Sequence, residues 1–245
     1  MSTVRRRLVS ISQAHKLAGY ESPTAHGVVR DVLKGLCRER GSTQKAKDAV
    51  GTNELRAMVG SCDNSLQGMR DKALLLFGFV GAFRRSELVA ITMADIDLVA
   101  EEGLRVHIRK SKTDQEGEGR LVGIPYGQHA ETCPVLATRA WLDAAQINGG
   151  TIFRAVDRHG RIAAAPLSGR AVALVIQRRA AAVGLDPKRF AAHSLRSGFC
   201  TAAAAKDVSE RLIMLQTGHK SVQMVRKYIR QGSIFSQNAA KSLDL

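Results

Sequence analysis

The apolar residues of this sequence recur with helical spacing along most of the chain and alternate with polar residues in one short stretch. The segment from Ala73 to Phe83 is almost entirely apolar, which predicts a buried helix that begins near Asp71. A second, short helix is predicted from Ser86 to Ile91. Apolar and polar residues then alternate from Leu104 to Arg109, which is typical of a strand with one buried face. This change of period indicates a mainly helical fold that contains a strand.

A second alternating segment completes the predicted sheet. Leu121 to Ile124 follows a polar, glycine-rich loop from Asp114 to Gly119, and together they predict an antiparallel hairpin. Beyond Pro134 the apolar spacing is helical again. Helices are predicted over residues 135–146, 168–183, 194–205, 209–217 and 222–229. The expected fold class is therefore mainly α, with packed helices and one small antiparallel β-sheet.

Charge is the most unusual property of the composition. The chain of 245 residues has 37 Lys and Arg against 22 Asp and Glu, a formal net charge of +15 at pH 7. Such an excess favours a polyanionic partner, most often nucleic acid and sometimes an anionic membrane. A membrane-spanning segment is not expected, because the longest apolar run is too short to cross a bilayer and contains Gly78 and Gly81.

Targeting and redox features favour a cytoplasmic location. Arg5, Arg6 and Arg7 are not followed by the apolar core or the small-residue cleavage site of a signal peptide. The four cysteines stand far apart and form no CxxC pair, which favours reduced thiols over a disulfide framework or a zinc site. We therefore expect a cytoplasmic protein that is associated with the nucleoid if its partner is DNA.

Residues 1–47 form a basic segment at the N-terminus. They contain ten Lys or Arg and three Asp or Glu, so they hold nearly half of the net charge. Helices are predicted from Thr3 to Ala18 and from Ala25 to Arg40, and the small polar stretch from Gly41 to Val50 predicts a linker. Two short helices cannot enclose a core of their own. The predicted boundary separates residues 1–47 from a larger domain over residues 48–245.

Motifs for common cofactors are absent from the sequence. It contains no GxxxxGK[ST] phosphate loop and no HExxH motif, so we expect neither ATP nor a metal nor another cofactor. Asp95 and Asp97 leave one alternative open, a metal-dependent nuclease. Alternating acids beside a turn are, however, more often solvated or involved in capping.

A set of residues suited to phosphate chemistry is spread along the larger predicted domain. Arg84 lies in the segment GAFRRSEL, three residues before Glu87. Lys112 lies in the segment SKT at the end of the predicted hairpin. Each segment alone is a weak signal, because an isolated arginine or lysine is often only a solvated surface residue.

The remaining members of the set lie in the last quarter of the chain. The segment HSLR places His193 and Arg196 three residues apart, where they can share one helix face. His219 follows in the pair GH, and Tyr228 lies in VRKYIR. The order Arg, Lys, His, Arg, His, Tyr resembles the tyrosine recombinase (phage integrase) family over about residues 50–245. The HxLR box, the GH box and the late tyrosine are highly specific together.

The resemblance implies cleavage and rejoining of DNA through a 3′-phosphotyrosyl intermediate, without metal or ATP. Tyr228 is the implied nucleophile and His193 the implied general base, while His219 donates a hydrogen bond to the phosphate. Lys112 is the implied acid that protonates the leaving 5′ oxygen, with Lys110 as a competing candidate.

The physical chemistry of a phosphodiester supports these roles independently. Attack on the phosphate builds negative charge on its oxygens, and arginines hold such oxygens in a fixed fork, so Arg84 and Arg196 are candidates for an electrostatic clamp. A tyrosine hydroxyl with an unperturbed pKa of about 10 needs a base or cationic surroundings to react. Glu87 resembles the family's structural acid, which holds the surroundings of the first arginine.

Double-stranded DNA is the partner that the resemblance implies. Family members normally have a separate N-terminal helical domain, and the two halves clamp the duplex. Residues 1–47 match only the last part of that domain, so we expect a truncated core-binding domain, either a natural truncation or a start further upstream. Arg5, Arg6, Arg7 and Lys110 are the further expected DNA contacts.

Assembly is expected to depend on the C-terminal tail. Phe235, Ala239 and Leu243 recur every four residues, which predicts an amphipathic helix. In the resembled family the corresponding helix docks on a neighbouring protomer. We therefore expect a monomer in solution that assembles into a homotetramer on paired DNA sites, unless the helix packs on its own domain.

Site-specific DNA recombination or integration, as in a mobile element, is thus the predicted function. Two alternatives remain open at this point. A type IB topoisomerase shares much of this chemistry but acts as a monomer, and a truncated DNA-binding relative would bind DNA without recombining it.

Overall fold

The computed structural model describes residues 1–41, 47–109 and 119–232. The chain divides into two compact units, Met1–Ala46 and Lys47–Leu245. The smaller unit contains helices α1 (Ser2–Leu17) and α2 (Gly27–Arg40), close to the two predicted helices. Neither helix has a buried residue, in agreement with the expectation that they enclose no core.

The larger unit is mainly helical. Its helices are α3 (Thr52–Gly60), α4 (Leu66–Val80), α5 (Arg85–Ala90), α6 (Pro134–Ala144), α7 (Gly169–Ala182), α8 (His193–Ala205), α9 (Glu210–Thr217) and α10 (Val222–Gly232). Its strands are β1 (Ile96–Val99), β2 (Gly103–Ile108), β3 (Arg120–Pro125), β4 (Arg154–Val156) and β5 (Ile162–Pro166).

Helix α4 lies at the centre of the core and packs against α6 and α8. It begins at Leu66 rather than near Asp71, because the Ser65 hydroxyl accepts a hydrogen bond from the Gly68 N–H at 3.1 Å and caps the first turn. All residues from Ala73 to Phe79 are buried, as expected for a helix covered on every side. It ends at Val80, and residues 81–84 connect it to α5.

The predicted hairpin is present as β2 and β3. The two strands are antiparallel, with Val106 opposite Val122, and β1 pairs with the other edge of β2 in the order β1-β2-β3. Alternation along β2 and β3 places Leu104, Val106, Ile108, Val122 and Ile124 inward, as the sequence pattern predicts, whereas Leu121 is exposed. The predicted fold class, packed helices with a small antiparallel sheet, is confirmed. The structure adds α3, β1 and the separate β4–β5 hairpin, which the apolar pattern did not predict.

Close backbone contacts connect α8 to the segment before α3. The Val50 N–H donates to the Ser194 carbonyl at 3.0 Å, and a Cβ at position 198 would lie 2.2 Å from the Val50 carbonyl oxygen. Gly198 is therefore required for this crossing. No helix in the described ranges is long and apolar enough to span a membrane.

Candidate active site

Residues that are far apart in the sequence meet within the larger unit. Arg84 caps the start of α5, and His193 is the first residue of α8. Arg196 lies one turn further along α8, His219 follows the glycine that ends α9, and Tyr228 lies on α10. Hydrogen bonds and ring contacts connect the side chains of the last four, and Arg84 contacts the end of α9.

Tyr228 and His193 form the pair to which the sequence assigns nucleophile and base. The Tyr228 hydroxyl lies 2.9 Å from His193 Nε2. The tyrosine packs against a small apolar cluster that includes Cys200 and Val225, so its position is set by the contact of α10 with α8. The N-cap of α8 is Ala192, and the His193 ring of the following residue makes the hydrogen bond to Tyr228.

The electrostatic environment keeps both members of this pair uncharged at neutral pH. Partial burial raises the pKa of Tyr228, so the hydroxyl retains its proton. Partial burial and the charges of Arg196 and Arg84 lower the pKa of His193, so the imidazole is neutral. A neutral imidazole with its proton on Nδ1 can accept a proton through Nε2, and a tyrosine with a raised pKa needs such a base in order to react.

Arg196 is a buried charge, with 1% of the residue exposed. Its Nη1 donates to the Ala82 carbonyl at 2.6 Å, and its Nη2 lies 3.1 Å from His219 Nε2. Burial and the nearby Arg84 guanidinium lower the pKa of Arg196 to about 10, which still leaves it charged at neutral pH. The guanidinium is therefore a cation held by uncharged acceptors.

A chain of hydrogen bonds determines the tautomer of His219. Burial and the neighbouring Arg196 lower its pKa to about 4, so the ring is neutral at pH 7. The Thr217 hydroxyl donates to the Ile213 carbonyl at 2.7 Å and is 2.8 Å from His219 Nδ1. Because this hydroxyl uses its proton on the carbonyl, Nδ1 carries a proton and donates it to the hydroxyl oxygen. Nε2 is then the acceptor for Arg196.

Glu87 holds Arg84 at the start of α5. Its carboxylate accepts a hydrogen bond from the Arg84 backbone N–H at 3.0 Å and from the guanidinium at 2.6 Å. The side chain of Glu87 is 1% exposed. The Arg84 guanidinium also donates to the Gly218 carbonyl at 3.3 Å, next to His219. Glu87 thus contacts the arginine rather than the rings of the site.

Arg120 is a member of this cluster that none of the sequence motifs indicates. Its Nη2 donates to Glu87 at 3.0 Å, and its Nη1 donates to the Gln216 carbonyl at 2.8 Å. Burial lowers its pKa, and the Glu87 carboxylate opposes that shift. The alternating pattern of β3 was the available signal in the sequence. It places Arg120 on the same inward face of the strand as Val122 and Ile124.

Other predicted site residues lie elsewhere or outside the described ranges. Lys112 and Lys110 fall within residues 110–118, and the predicted tail helix falls within residues 233–245, neither of which the structure describes. Arg5, Arg6 and Arg7 are exposed on α1 of the smaller unit.

The two acids of the nuclease alternative have separate partners. The Asp95 carboxylate accepts hydrogen bonds from the backbone and hydroxyl of Thr92 at 2.9 and 2.6 Å, and it pairs with Arg109. Asp97 is 3.0 Å from His107. Asp95 thus caps a turn. Within the ranges that the structure describes, no three His, Cys, Asp or Glu side chains are grouped as metal ligands.

Comparison with known proteins identifies the family of this chain. The phage integrase family model matches residues 48–233. An integrase/recombinase XerD homologue of Selenomonas ruminantium is 43% identical over 97% of this chain and 71% of its own length. Tyrosine recombinase XerD of Xanthomonas axonopodis pv. citri is 27% identical over 74% of this chain. This chain spans 57% of the length of that Xanthomonas protein.

Solved structures show the same fold. The integrase of transposon Tn1549, solved in complex with a circular intermediate DNA, has a TM-score of 0.66 at 16% sequence identity. The similarity covers all of this chain and 80% of the transposon integrase. Because the family model covers most of the sequence and the Selenomonas relative matches nearly all of it, this protein belongs to the phage integrase family of tyrosine recombinases.

Proposed function

We propose that this protein is a site-specific recombinase that cuts and rejoins double-stranded DNA through a covalent 3′-phosphotyrosyl intermediate. The observation that carries the proposal is the 2.9 Å contact between the Tyr228 hydroxyl and His193 Nε2, beside the buried cation Arg196. This arrangement offers the tyrosine both a base and positive surroundings. The recombinase names of the relatives and the DNA in the Tn1549 complex support DNA as the partner.

In the proposed cleavage step the Tyr228 oxygen attacks the phosphorus and the bond from phosphorus to the 5′ oxygen breaks. The tyrosine proton passes to His193 Nε2, which lies within hydrogen-bond distance of the hydroxyl. The 5′ oxygen receives a proton from Lys112, a role that rests on the family resemblance. Rejoining reverses these transfers, and the phosphotyrosyl bond conserves the energy that ligation needs.

Arg84 and Arg196 are proposed to bind the oxygens of the phosphate that become more negative during attack. His219 donates through Nε2 only after that nitrogen takes up a proton, because it now accepts from Arg196. A phosphate oxygen that draws Arg196 away and adds negative charge favours this protonation. We propose that Glu87 supports the site by orienting Arg84.

We propose that the basic smaller unit adds phosphate contacts through Arg5, Arg6 and Arg7, as part of a core-binding domain that precedes a catalytic domain over residues 48–245. Their exposure on α1 supports this role. Binding to DNA would place the protein at the nucleoid. A monomer in solution that forms a homotetramer on paired DNA sites remains part of the proposal, because four strands must be cut in ordered pairs.

A covalent trapping experiment tests the cleavage chemistry without knowledge of the target site. The protein is incubated in EDTA with a pool of short nicked duplexes of randomised sequence, and complexes that survive SDS are recovered and sequenced. The nick lets the short fragment that carries the new 5′-hydroxyl diffuse away, so rejoining is prevented and a phosphotyrosyl adduct accumulates. We expect an adduct that Tyr228→Phe abolishes, with little change in DNA affinity, because only the nucleophilic oxygen is removed.

The other outcomes point to other functions. An undiminished adduct with Tyr228→Phe would identify another nucleophile. Cleavage that EDTA stops and magnesium restores would favour a nuclease that uses Asp95 and Asp97. Relaxation of supercoiled plasmid without strand exchange between trapped sites would favour a topoisomerase, and binding without any adduct an inactive relative.

A further inference from the structure

Arg120 occupies a position at which a charge is costly. It is the first residue of β3, its side chain faces inward, and 17% of that side chain is exposed. Its Nη1 and Nη2 donate to different acceptors, whereas its Nε is buried and has no hydrogen-bond partner in the described residues. Burial of a guanidinium with one unsatisfied N–H is unfavourable unless the other contacts compensate.

The two acceptors of Arg120 belong to separate parts of the site. One is the Glu87 carboxylate at 3.0 Å, which also holds Arg84 at 2.6 Å. The other is the Gln216 carbonyl at 2.8 Å, three residues before His219. A planar guanidinium spans two acceptors at fixed angles, which a lysine ammonium cannot reproduce. Arg120 therefore connects Glu87, which holds Arg84, to the end of α9.

Further contacts hold the end of α9 in the same place. The Gln216 side chain donates to the carbonyls of Val80 and Gly123, both at 2.9 Å, so it connects α9 to the end of α4 and to β3. Gly218 has a φ of 66°, and a Cβ there would lie 2.7 Å from Arg120 Nε. The glycine thus ends the helix in the left-handed conformation and also makes room for the guanidinium.

We infer that Arg120 is a positioning residue for the proposed cleavage reaction, orienting Arg84 through Glu87 and His219 through the end of α9. This inference rests on the proposed function. Arg120 touches neither Tyr228 nor His193 in the structure's described contacts, so it acts through the residues that it holds. A small displacement of a phosphate-binding arginine is costly, because cleavage depends on alignment of the phosphate with the nucleophile.

The test measures single-turnover cleavage of a trapped duplex at saturating DNA, together with DNA affinity and melting temperature. Arg120→Gln should slow cleavage about 10- to 100-fold while affinity changes much less. Arg120→Lys keeps the positive charge but not the two-pronged guanidinium, so this variant should also cleave slowly. Arg105→Gln is the matched control, since it removes a charge from an exposed position of the same sheet and should cleave at the wild-type rate.

Combination with Arg84→Lys separates positioning from general support of the fold. Because Arg120 is inferred to act partly through Arg84, Arg120→Gln should slow cleavage clearly less when Arg84 is already lysine, and the slowing that remains is the part that passes through the end of α9. The full slowing in that background, or a wild-type rate for Arg120→Gln, would overturn the inference. If Arg120→Gln fails to fold, the slowing caused by Arg120→Lys in the wild-type and Arg84→Lys backgrounds tests the inference in the same way. Absence of any wild-type adduct would instead contradict the proposed function.

Discussion

The Asp71 cluster (Asp71, Arg70, Arg178 and Arg179) and the Glu87 cluster (Glu87, Arg84, Arg120 and the neighbouring Arg196) each combine three arginines with one buried carboxylate. In the Asp71 cluster all three guanidiniums contact the same carboxylate, at 2.8, 2.6 and 2.9 Å. One of the three arginines has 44% of its side chain exposed, so water also solvates its charge. Every cation there has an anionic partner.

In the Glu87 cluster the positive charge is less evenly matched. Arg84 and Arg120 contact the carboxylate, whereas Arg196 contacts only a carbonyl and a neutral imidazole, with no carboxylate in ion-pair distance among the residues described. Burial and the Arg84 charge lower the pKa of Arg196 to about 10. Among the residues that the structure describes, this buried cation therefore has no ion-pair partner.

The difference shows how similar residues serve different ends. A guanidinium that meets a buried carboxylate with good geometry holds helices together, and loss of either partner leaves an unpaired charge. A guanidinium held only by neutral acceptors keeps a positive charge that can attract an anionic ligand. This is the property that a phosphate-binding site requires. The number of arginines does not distinguish the clusters, whereas the partners do.

The largest expected effect is on stability, from Asp71→Asn. The substitution leaves three guanidiniums around a neutral amide, and we expect a loss of about 3 to 5 kcal/mol in the free energy of unfolding. Urea denaturation measures it. Asp97→Asn, which breaks an exposed contact with His107, is the control and should cost less than about 0.5 kcal/mol. Similar losses for both variants would contradict the structural role of the Asp71 cluster.

The next effect is on cleavage, from Arg196→Lys. A single ammonium does not reproduce the forked contact with a phosphate, so we expect cleavage to slow about 100-fold, or about 3 kcal/mol in activation free energy. Arg84→Lys should behave similarly. Arg178→Lys, in the Asp71 cluster, is the control and should cleave within about twofold of the wild type. Wild-type rates for both Arg196→Lys and Arg84→Lys would show that the clamp is assigned to the wrong residues.

Acid should destabilise the site through His219. Its pKa is about 4 in the folded protein, against about 6.5 for an ordinary histidine, so the unfolded state binds more protons between these values. The stabilisation is complete above about pH 6.5 and is lost as the pH falls toward 4. We expect a loss on the order of 1 to 2 kcal/mol between pH 7 and pH 5, measured by urea unfolding. The His219→Gln variant should lose less unfolding free energy over the same pH range. An equal loss would show that His219 is not the group responsible.

The smallest expected effect is stabilisation by a free anion. Inorganic phosphate at several times its Kd should stabilise the folded protein by about 1 kcal/mol through the charge of Arg196. Melting temperatures in phosphate and in chloride of equal ionic strength provide the measurement. Arg196→Gln should abolish the difference and Arg178→Gln should retain it. The opposite pattern would place the anion site at the Asp71 cluster.

Much of the fold could be predicted because the apolar pattern is local and strong. The central helix α4 and the β2–β3 hairpin follow directly from continuous and alternating apolar residues. Helix α3 was missed because it has only nine residues, although its buried residues Leu55, Met58 and Val59 have helical spacing. Strand β1 was missed because it has four residues at a sheet edge. Such elements form mainly because the rest of the fold provides a surface for them.

The sequence by itself determined the family and the candidate residues, because specific motifs in a fixed order rarely coincide by chance. Only the tertiary structure decided how the candidates interact. The hydrogen bond between His193 and Tyr228 and the contact between Arg196 and His219 join segments that are 35 and 23 residues apart. The role of Arg120 is evident only in the folded chain, where β3 lies against α5 and α9, because the partners of a buried charge depend on distance in space.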